Sequence, residues 1–332
     1  MRLRRVILFF LILTLLIGAT TSLWLVQSLR PPEGEGVTVE VIIPKGASLS
    51  SVAKTLVGAG VIRNATTFGL YARWQKAGPR IKAGEYLFAL PVSASQVLQQ
   101  LLAGEVRRYR LTIPEGLTLV EIATRLDEAQ LADGNSFLRL ARSPDSVTRL
   151  ALEGPTLEGF LFPETYLLEK KQGEEAILKT MVDEFKRRCT PELLQEAAGF
   201  GLDRLQLVTL ASIVQKEAGN REEMPQIAAV FHNRLRRGMP LQADPTVIYG
   251  IENFNGNLTR RDLETWTPYN TYRIPGLPPG PIANPGDEAL WAVAKPARSD
   301  ALYFVARGDG THAFSRTLKE HNAAVRRYQL KR

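Results

Sequence analysis

The sequence predicts an α+β protein with a single membrane-spanning helix at its N-terminus. Three observations support this prediction. An uncharged apolar run occupies residues 6–27, a pattern of turn and helix occurs twice in the first half, and helical and extended patterns alternate in the second half. With 332 residues, of which 45% are hydrophobic, the chain has enough apolar material for cores in roughly two domains.

The apolar run VILFFLILTLLIGATTSLWLVQ, Val6–Gln27, carries no charge. Its length matches the roughly 20 residues that cross a bilayer. Arg2, Arg4 and Arg5 precede it, and a lone Arg30 and the acidic stretch PPEGEG follow it, so the positive-inside rule places residues 1–5 in the cytoplasm. A cleaved signal peptide is the alternative, but its apolar region is usually shorter and ends at an A-x-A site. We therefore expect a retained anchor.

Composition excludes several other classes of protein. The net charge of +8 suits either plain solubility, the more frequent reason for such a charge, or an anionic partner outside the membrane. The sequence has no helix-turn-helix, zinc-finger or RNP pattern, so no nucleic-acid partner is expected. The single Cys189 excludes an internal disulfide and a thiolate metal site. The three histidines lack metal-ligand spacing, and no phosphate-binding glycine loop occurs. The sequence therefore predicts neither a metal nor a cofactor.

A repeat organises the first half. The segment IPKGASLSSVAKTLVGAGV at residues 43–61 returns at residues 113–131 as IPEGLTLVEIATRLDEAQL. Each copy predicts an IPxG turn followed by an amphipathic helix. Between the copies, FGLYARWQKAG predicts a helix, AGEYLFAL a strand, and ASQVLQQLLAGEV a helix that ends at Gly104. The pattern fits two small α+β units, and a packing role and a binding role for the repeat remain equally open.

The second half begins with a helical stretch, Glu174–Ala198, and later contains a proline-rich connection. Proline fixes the backbone torsion φ and removes a hydrogen-bond donor, so this connection should be stiff and should line a cavity. Its prolines are Pro275, Pro278, Pro279, Pro281 and Pro285.

One carboxylate stands out in the stretch LASIVQKEAGN. Glu217 lies three and four residues beyond Val214 and Ile213, where the apolar helix pattern expects a hydrophobe, and a Gly-Asn pair typical of a helix end follows. Burial and a helix C-terminus both raise a carboxyl pKa, so Glu217 could donate a proton to a leaving group. The alternative is a glutamate that faces outward or pairs with Lys216 or Arg221.

Long blocks of the chain resemble those of the endolytic murein transglycosylases, the YceG-like (MltG-type) family. The blocks are LASIVQKE, FHNRLRRGMPLQADPTVIYG, YNTYRIPGLPPGPIANPG and the late YFV with THAFSRTLKEHN, preceded by IPEGLTLVEIA and LEGFLFPETY. The segment up to Gly104 is similar to the LysM-like domain of that family. The resemblance implies a cytoplasmic tail (1–5), a transmembrane helix (6–27), a linker (28–36), a LysM-like α+β subdomain (37–106) and a mixed α/β catalytic domain (107–332).

The resemblance also implies an activity. Such an enzyme is a single-pass protein of the inner membrane with its C-terminal domain in the periplasm. It cleaves the bond between N-acetylmuramic acid and N-acetylglucosamine within nascent peptidoglycan strands, forms 1,6-anhydro ends and terminates elongation. Glu217 maps onto the catalytic glutamate. The implied partners are glycan strands, the membrane and peptidoglycan synthases.

Polar and aromatic residues of the neighbouring blocks are candidates for substrate contacts, because amides and aromatic rings suit sugar hydroxyls and ring faces. They are Asn233, Gln242, Asp244, Thr246, Tyr249, Tyr269, Asn270 and Tyr272. Each could instead belong to the scaffold, since Asp244 before a proline and Asn270 in a loop are typical turn residues. Two other functions stay open: a hydrolase that uses Glu217 and Asp244, and a non-catalytic wall-binding scaffold.

Overall fold

The computed structural model describes residues 2–32, 36–170 and 172–330. Met1 of the predicted tail, residues 33–35 of the predicted linker and the last two residues lie outside this part. Helix α1, Arg2–Ser28, covers the predicted span of residues 6–27. Its segment Leu11–Ser28 is long and apolar enough to cross a membrane, and none of this segment is buried within the protein. One N-terminal apolar helix is therefore present, compatible with a single membrane anchor.

The chain divides into two compact units. The first comprises Met1–Tyr109 together with the short segment Leu167–Gln172, and the second comprises Arg110–Tyr166 and Gly173–Arg332. Both contain helices and short strands, so the mixed α and β composition expected from the sequence is confirmed. The return of residues 167–172 to the first unit has no counterpart in the sequence patterns.

The first unit packs three helices against a two-stranded sheet. After α1 its elements are β1 (Thr38–Ile43), α2 (Leu49–Gly58), α3 (Ala65–Trp74), a 3-10 turn (Gly78–Arg80), β2 (Gly84–Ala89) and α4 (Ala94–Ala103). Strands β1 and β2 are antiparallel, with Thr38 opposite Ala89 and Ile43 opposite Gly84. Large buried side chains from every layer, including Phe68, Tyr86 and Phe88, form one hydrophobic core.

The second unit contains most of the helices and a hairpin near the C-terminus. It has α5 (Leu119–Glu128), α6 (Gly134–Ala141), α7 (Pro144–Arg149), α8 (Glu174–Arg188), α9 (Pro191–Ala198), α10 (Arg204–Glu217), a 3-10 turn (Arg221–Glu223), α11 (Met224–Arg236), α12 (Asp244–Tyr249), α13 (Arg260–Glu264), α14 (Asp287–Ala294), the antiparallel strands β5 (Tyr303–Ala306) and β6 (His312–Ser315), and α15 (Leu318–Tyr328). The helical stretch predicted over Glu174–Ala198 is two helices, because α9 starts anew at Pro191 with Thr190 as its N-cap.

The sequence repeat is a structural repeat. Gly46 and Gly116 both adopt positive φ, 77° and 79°, at the end of the IPxG turn. Ser48 and Thr118 then cap α2 and α5 through their hydroxyl groups, 70 residues apart. A strand precedes each turn: β1 in the first copy and β3 (Tyr109–Thr112), which pairs with β4 (Thr165–Leu168), in the second. The predicted order of turn and helix is confirmed in both copies.

Helix α10 is the central helix of the second unit. Asp203 and Gln206 form a reciprocal capping box at its start. All residues from Leu207 to Val214 are buried, whereas the sequence pattern indicated only a buried stripe. The difference arises because four helices surround α10. Helices α11 and α14 pack against it, and α9 and α12 contact it as well, so no face of this stretch is left for solvent.

A buried polar cluster ties α5 and the proline-rich connection to the loop before β4. Asn284 is fully buried; its amide oxygen accepts the N–H of Leu161 at 2.9 Å, and its amide nitrogen donates to the Leu117 carbonyl and to Glu158. The Glu158 carboxyl also accepts the N–H of Leu119 and the hydroxyl of Tyr249. Burial raises the pKa of Glu158 to about 7, and the hydrogen bonds oppose that rise.

Replacing Asn284 should destabilise the second unit, because Asn284→Ala leaves the buried N–H of Leu161 without a partner and removes one hydrogen bond from the buried carboxyl of Glu158. We expect the free energy of unfolding to fall by about 3 kcal/mol, since each unsatisfied buried group costs about 1–3 kcal/mol. Urea denaturation of the purified protein measures this change. The exposed Asn257→Ala variant is the control and should stay within about 0.5 kcal/mol of wild type. An equally small change for Asn284→Ala would contradict the structural role of this cluster.

Candidate active site

Glu217 is the last residue of α10. The helix ends there because the N–H of Ala218 donates to the Val214 carbonyl at 3.0 Å while Ala218 itself adopts an extended conformation. The predicted helix end is therefore confirmed. The side chain of Glu217 is partly buried and lines a cleft of about 430 Å³.

The cleft collects chemically active side chains from distant parts of the second unit. Besides Glu217 from α10, it is lined by a guanidinium from α11, a carboxylate from α12, a phenol from the proline-rich connection and imidazoles from β6 and α15. These residues are Arg234, Asp244, Tyr272, His312 and His321. Leu241, Phe304, Leu318 and Val325 supply apolar walls.

The environment of Glu217 favours the protonated carboxyl. Burial raises its pKa from an ordinary 4.5 to about 8, the negative charge of Asp244 adds to the rise, and the positive charge of Arg234 opposes it. The cleft leaves the carboxyl accessible even though protein atoms surround it. Glu217 can therefore carry a proton at neutral pH and deliver it to a group bound in the cleft.

The two neighbours considered as ion-pair partners of Glu217 are engaged elsewhere. Lys216 donates to the Gly116 carbonyl at 3.3 Å. Arg221 pairs with Glu115 at 3.2 Å and with Glu288 at 3.0 Å. Within the residues that the structure describes, the Glu217 side chain makes neither a salt bridge nor a hydrogen bond, so its carboxyl is not used in a structural pair.

Arg234 is a buried cation beside this acid, with 8% of its surface exposed. Its Nε donates to the Leu302 carbonyl at 2.7 Å, and its Nη1 donates to the Leu241 carbonyl at 2.8 Å and to the amide oxygen of Gln242 at 3.2 Å. In the part of the chain that the structure describes, all of its hydrogen bonds go to neutral oxygens. The guanidinium is thus held in place while its charge remains unpaired.

Three of the residues predicted to contact substrate lie in the cleft with Glu217: Gln242, Asp244 and Tyr272. The hydroxyl of Tyr272 donates to Asp244 Oδ1 at 2.6 Å. Burial and this hydrogen bond both raise the pKa of Tyr272, so the phenol stays neutral. Gln242 adopts a positive φ of 52°, a conformation that is uncommon outside glycine and that occurs at functional sites.

The other five predicted contact residues lie outside the cleft lining, and their side chains are used by the scaffold. Asn233 donates to the carbonyls of Ser299 and Ala301. Asn270 is fully buried and donates to the carbonyls of Asp262, Leu263 and Thr265. Thr246 bonds Ala243 and Thr271, and Tyr249 donates to Glu158 and packs against Tyr269. Direct contact of these five residues with substrate stays a prediction.

Sequence reasoning missed four cleft residues: Arg234, Tyr303, His312 and His321. All four belong to blocks on which the family resemblance rests, and that was the only signal for them. The spacing of the histidines excludes a metal site and indicates nothing about this cleft. Nothing in the sequence brings Arg234 of α11 and Tyr303 of β5 together, yet the guanidinium lies over the tyrosine ring at 5.2 Å.

A second cavity, of about 660 Å³, lies in the same unit and contains none of these acids. Phe200, His232, Leu277, Pro278 and Pro279 contribute to its lining. The stiff proline-rich connection therefore lines a cavity, as predicted, while Tyr272 at its start reaches the Glu217 cleft. We assign the chemistry to the smaller cleft because the raised pKa of an accessible acid is found there.

The environment of Glu217 has a consequence for stability. Between pH 4.5 and about 8 the folded state retains a proton that the unfolded chain releases, so this residue makes the protein less stable as pH rises through that window. Glu217→Gln removes the effect. We expect the unfolding temperature of the variant to match that of wild type near pH 4.5 and to exceed it at pH 8.5, measured on the purified full chain by thermal denaturation.

The exposed Glu222→Gln variant is the matched control, and it should show no pH-dependent difference from wild type. A Glu217→Gln protein that unfolds at a lower temperature than wild type at pH 8.5 would contradict the burial of this acid.

Known proteins are similar to this chain over most of its length. The family model of the YceG-like family matches residues 41–327. The chain is 34% identical over 318 residues to the endolytic murein transglycosylase of Bacillus subtilis (strain 168), a match that covers 90% of this chain and 88% of that protein. It is 29% identical over 319 residues to the endolytic murein transglycosylase of Streptococcus pneumoniae serotype 2 (strain D39 / NCTC 7466), and this match covers 86% of this chain and 58% of the streptococcal protein.

A solved structure agrees with these matches. The crystal structure of a yceG-like protein from Listeria monocytogenes is similar with a TM-score of 0.60 and 33% sequence identity, over 86% of this chain and 98% of that one. The family model covers most of the sequence, and the Bacillus protein matches it almost from end to end. The chain belongs to the YceG-like family.

Proposed function

We propose that this protein is a membrane-anchored endolytic lytic transglycosylase of peptidoglycan. The observation that carries the proposal is the accessible carboxyl of Glu217, which is free of structural partners among the described residues and whose pKa burial raises to about 8. General acids of this kind need a pKa near the working pH. The relatives named endolytic murein transglycosylases support the choice of substrate.

The reaction needs one proton donor and no water at the reacting carbon. Glu217 protonates the glycosidic oxygen between N-acetylmuramic acid and N-acetylglucosamine, and the bond from that oxygen to the anomeric carbon breaks. The C6 hydroxyl of the same muramic acid then attacks the anomeric carbon and closes a 1,6-anhydro ring. The proton of this hydroxyl must pass to a base, and the glutamate that has just lost its own proton is the simplest candidate.

The charges around Glu217 suit this sequence of events. Positive charge develops on the sugar ring as the glycosidic bond breaks. Asp244 places a negative charge in the same cleft and is held by the hydroxyl of Tyr272. Arg234 places a positive charge near the carboxylate that Glu217 becomes. The cleft therefore offers an opposite charge to each of the two charges that the reaction creates.

The remaining expectations concern location and domains. The helix α1 anchors the protein in the inner membrane with residues 1–5 in the cytoplasm and the chain after Arg30 in the periplasm. Residues 37–106 form a LysM-like subdomain that binds glycan, and residues 107–332 form the catalytic domain. An enzyme that ends the growth of nascent strands must meet them where they are made, which makes peptidoglycan synthases the expected partners.

The hydrolase and the scaffold remain the alternatives to be tested. A hydrolase with Asp244 as its second carboxylate would release reducing ends instead of anhydro ends. A wall-binding scaffold would release neither.

Glu217→Gln should remove nearly all cutting activity, because the amide retains the size of the side chain but cannot supply a proton. We expect a loss of at least about 10²–10⁴-fold, the usual contribution of general acid–base catalysis. Mass spectrometry of digested glycan strands measures it, with Glu222→Gln as the exposed control at wild-type rate. A folded Glu217→Gln protein that releases 1,6-anhydro products at near wild-type rate would exclude this mechanism.

Asp244→Asn separates the transglycosylase from the hydrolase. The variant should retain the bond to Tyr272 and lose only a supporting charge, so its loss of activity should be smaller than that of Glu217→Gln. The products of both the variant and the wild type should carry anhydro ends. Reducing ends from wild type, together with equal losses in the two variants, would establish the hydrolase instead.

Topology can be tested with a reporter. Alkaline phosphatase fused after Arg332 should be active, because this enzyme folds only outside the cytoplasm and the basic residues before α1 favour an inner N-terminus. In a second fusion, green fluorescent protein at the same position would be exported in unfolded form and should not fluoresce. Fluorescence without phosphatase activity would reverse the assigned orientation.

A further inference from the structure

A histidine and a glutamate form a pair at the edge of the Glu217 cleft. We propose that His312, held by Glu223, is the base that takes the proton from the C6 hydroxyl, so that acid and base are two different residues. The inference rests on the proposed function and changes one step of it. It assigns a role to the THAF segment, which the proposed function leaves without one.

The geometry fixes the imidazole in one orientation. Glu223 Oε2 lies 2.8 Å from His312 Nδ1, and Glu223 Oε1 accepts the backbone N–H of His312 at 3.0 Å. A carboxylate can only accept, so Nδ1 carries the hydrogen in the neutral ring and Nε2 is left with its lone pair. The backbone of Glu223 is held by a hydrogen bond from its N–H to the side-chain oxygen of Asn220.

The second ring nitrogen is free to act. Among the residues that the structure describes, Nε2 of His312 has no hydrogen-bond partner, and this nitrogen is not buried. His312 lines the same cleft as Glu217, and Phe304 packs against its ring edge-on at 5.4 Å. The imidazole therefore presents a proton acceptor to whatever fills the cleft.

A close backbone contact keeps this histidine near the acid. Gly219, two residues after Glu217, approaches the loop between β5 and β6 so closely that a Cβ atom there would lie 2.6 Å from the Gly310 carbonyl oxygen. His312 follows two residues after Gly310. The hairpin and the end of α10 are thus packed together by glycine, and the two functional side chains flank this contact.

His321 is the competing candidate, and its surroundings disfavour it. Its Nδ1 is buried without a hydrogen-bond partner, and its ring stacks on Tyr303 at 5.2 Å. Burial and the charge of Arg234 lower the pKa of His321. Nothing in the described residues orients its ring as Glu223 orients that of His312, so His321 is better suited to form a wall of the cleft.

The charges that face His312 come from several elements. Glu223 contacts it directly from the 3-10 turn, and the other titratable groups of the cleft are Glu217 on α10, Arg234 on α11, Asp244 on α12, Tyr272 on the proline-rich connection, Tyr303 on β5 and His321 on α15. The carboxylates stabilise an imidazolium and Arg234 opposes it. A histidine with Glu223 as its immediate partner can therefore accept a proton during the reaction.

The step balances without any further reactant. Glu217 gives its proton to the glycosidic oxygen and becomes a carboxylate as the bond to the anomeric carbon breaks. The C6 oxygen bonds to that carbon while its proton passes to His312 Nε2. After the products leave, the imidazolium returns the proton to Glu217, through water if needed, and both groups are restored. Glu217 then gives a proton to the glycosidic oxygen without also having to take one from the C6 hydroxyl in the same step.

His312→Asn tests the proposal, because the asparagine amide reproduces the donor at Nδ1 and retains the bond to Glu223 but cannot accept a proton. On the full-length protein we expect kcat to fall by about 10²–10⁴-fold with KM nearly unchanged. Added imidazole should not restore the activity of this variant, because the asparagine side chain fills the space that the ring would occupy. A folded variant within about twofold of the wild-type kcat would overturn the proposal.

Glu223→Gln provides an independent test if the first variant does not fold. Without the carboxylate an imidazolium is less stable and the ring loses the partner that orients it, so kcat per folded protein should fall while KM stays nearly unchanged. A purely structural clamp would change the amount of folded protein and leave kcat per folded protein at the wild-type value. That second outcome would reject a catalytic role for the pair.

Product analysis separates this inference from the proposed function. Anhydro ends from wild type with full activity in the His312 and Glu223 variants would refute the two-residue mechanism and leave the transglycosylase intact. Reducing ends from wild type would refute the transglycosylase and the inference together. Restoration of His312→Gly activity by added imidazole, with anhydro products, would support both.

Discussion

The burial of α10 on every side is the constraint on which the second unit depends. Residues Leu207–Val214 are enclosed by neighbouring helices, so the helix can neither rotate nor slide without opening the core. The capping box at Asp203 fixes where it starts, and the extended conformation of Ala218 fixes where it ends. The direction of Glu217 is therefore set by packing over about two preceding turns rather than by any bond of its own side chain.

The rest of the cleft is positioned by backbone carbonyls that accept from long polar side chains. Arg234 is bonded to Leu302 and Leu241, and Asn233 to Ser299 and Ala301, so α11 holds the loops on both sides of the cleft. Such bonds hold irregular loops in place without pairing a charged side chain with an opposite charge. The charged groups are then available to each other and to a ligand, which is the condition for preorganised electrostatics.

Local patterns were enough to predict the elements whose causes are local. The IPxG turns, the helices that follow them and the helix end after Glu217 all depend on residues close in sequence to the feature. The lining of the cleft does not follow from local patterns. Arg234, Tyr303 and His312 are brought together by the hairpin and α11, which no periodicity connects. The amide of Asn270 suits a sugar hydroxyl, which makes this residue a candidate for substrate contact. In the structure the amide is buried and donates to three backbone carbonyls, and the sequence position does not reveal these partners.

The proton on Glu217 accounts for the unpaired charge of Arg234. A buried guanidinium bonded only to neutral oxygens within the described residues is costly in the resting protein, because desolvation is not compensated by an opposite charge. In the proposed mechanism Glu217 gives up its proton, a carboxylate forms beside that cation, and the cost of both charges falls. The stabilisation arises only as the reaction proceeds, and interactions that strengthen on the way to the transition state are those that accelerate a reaction.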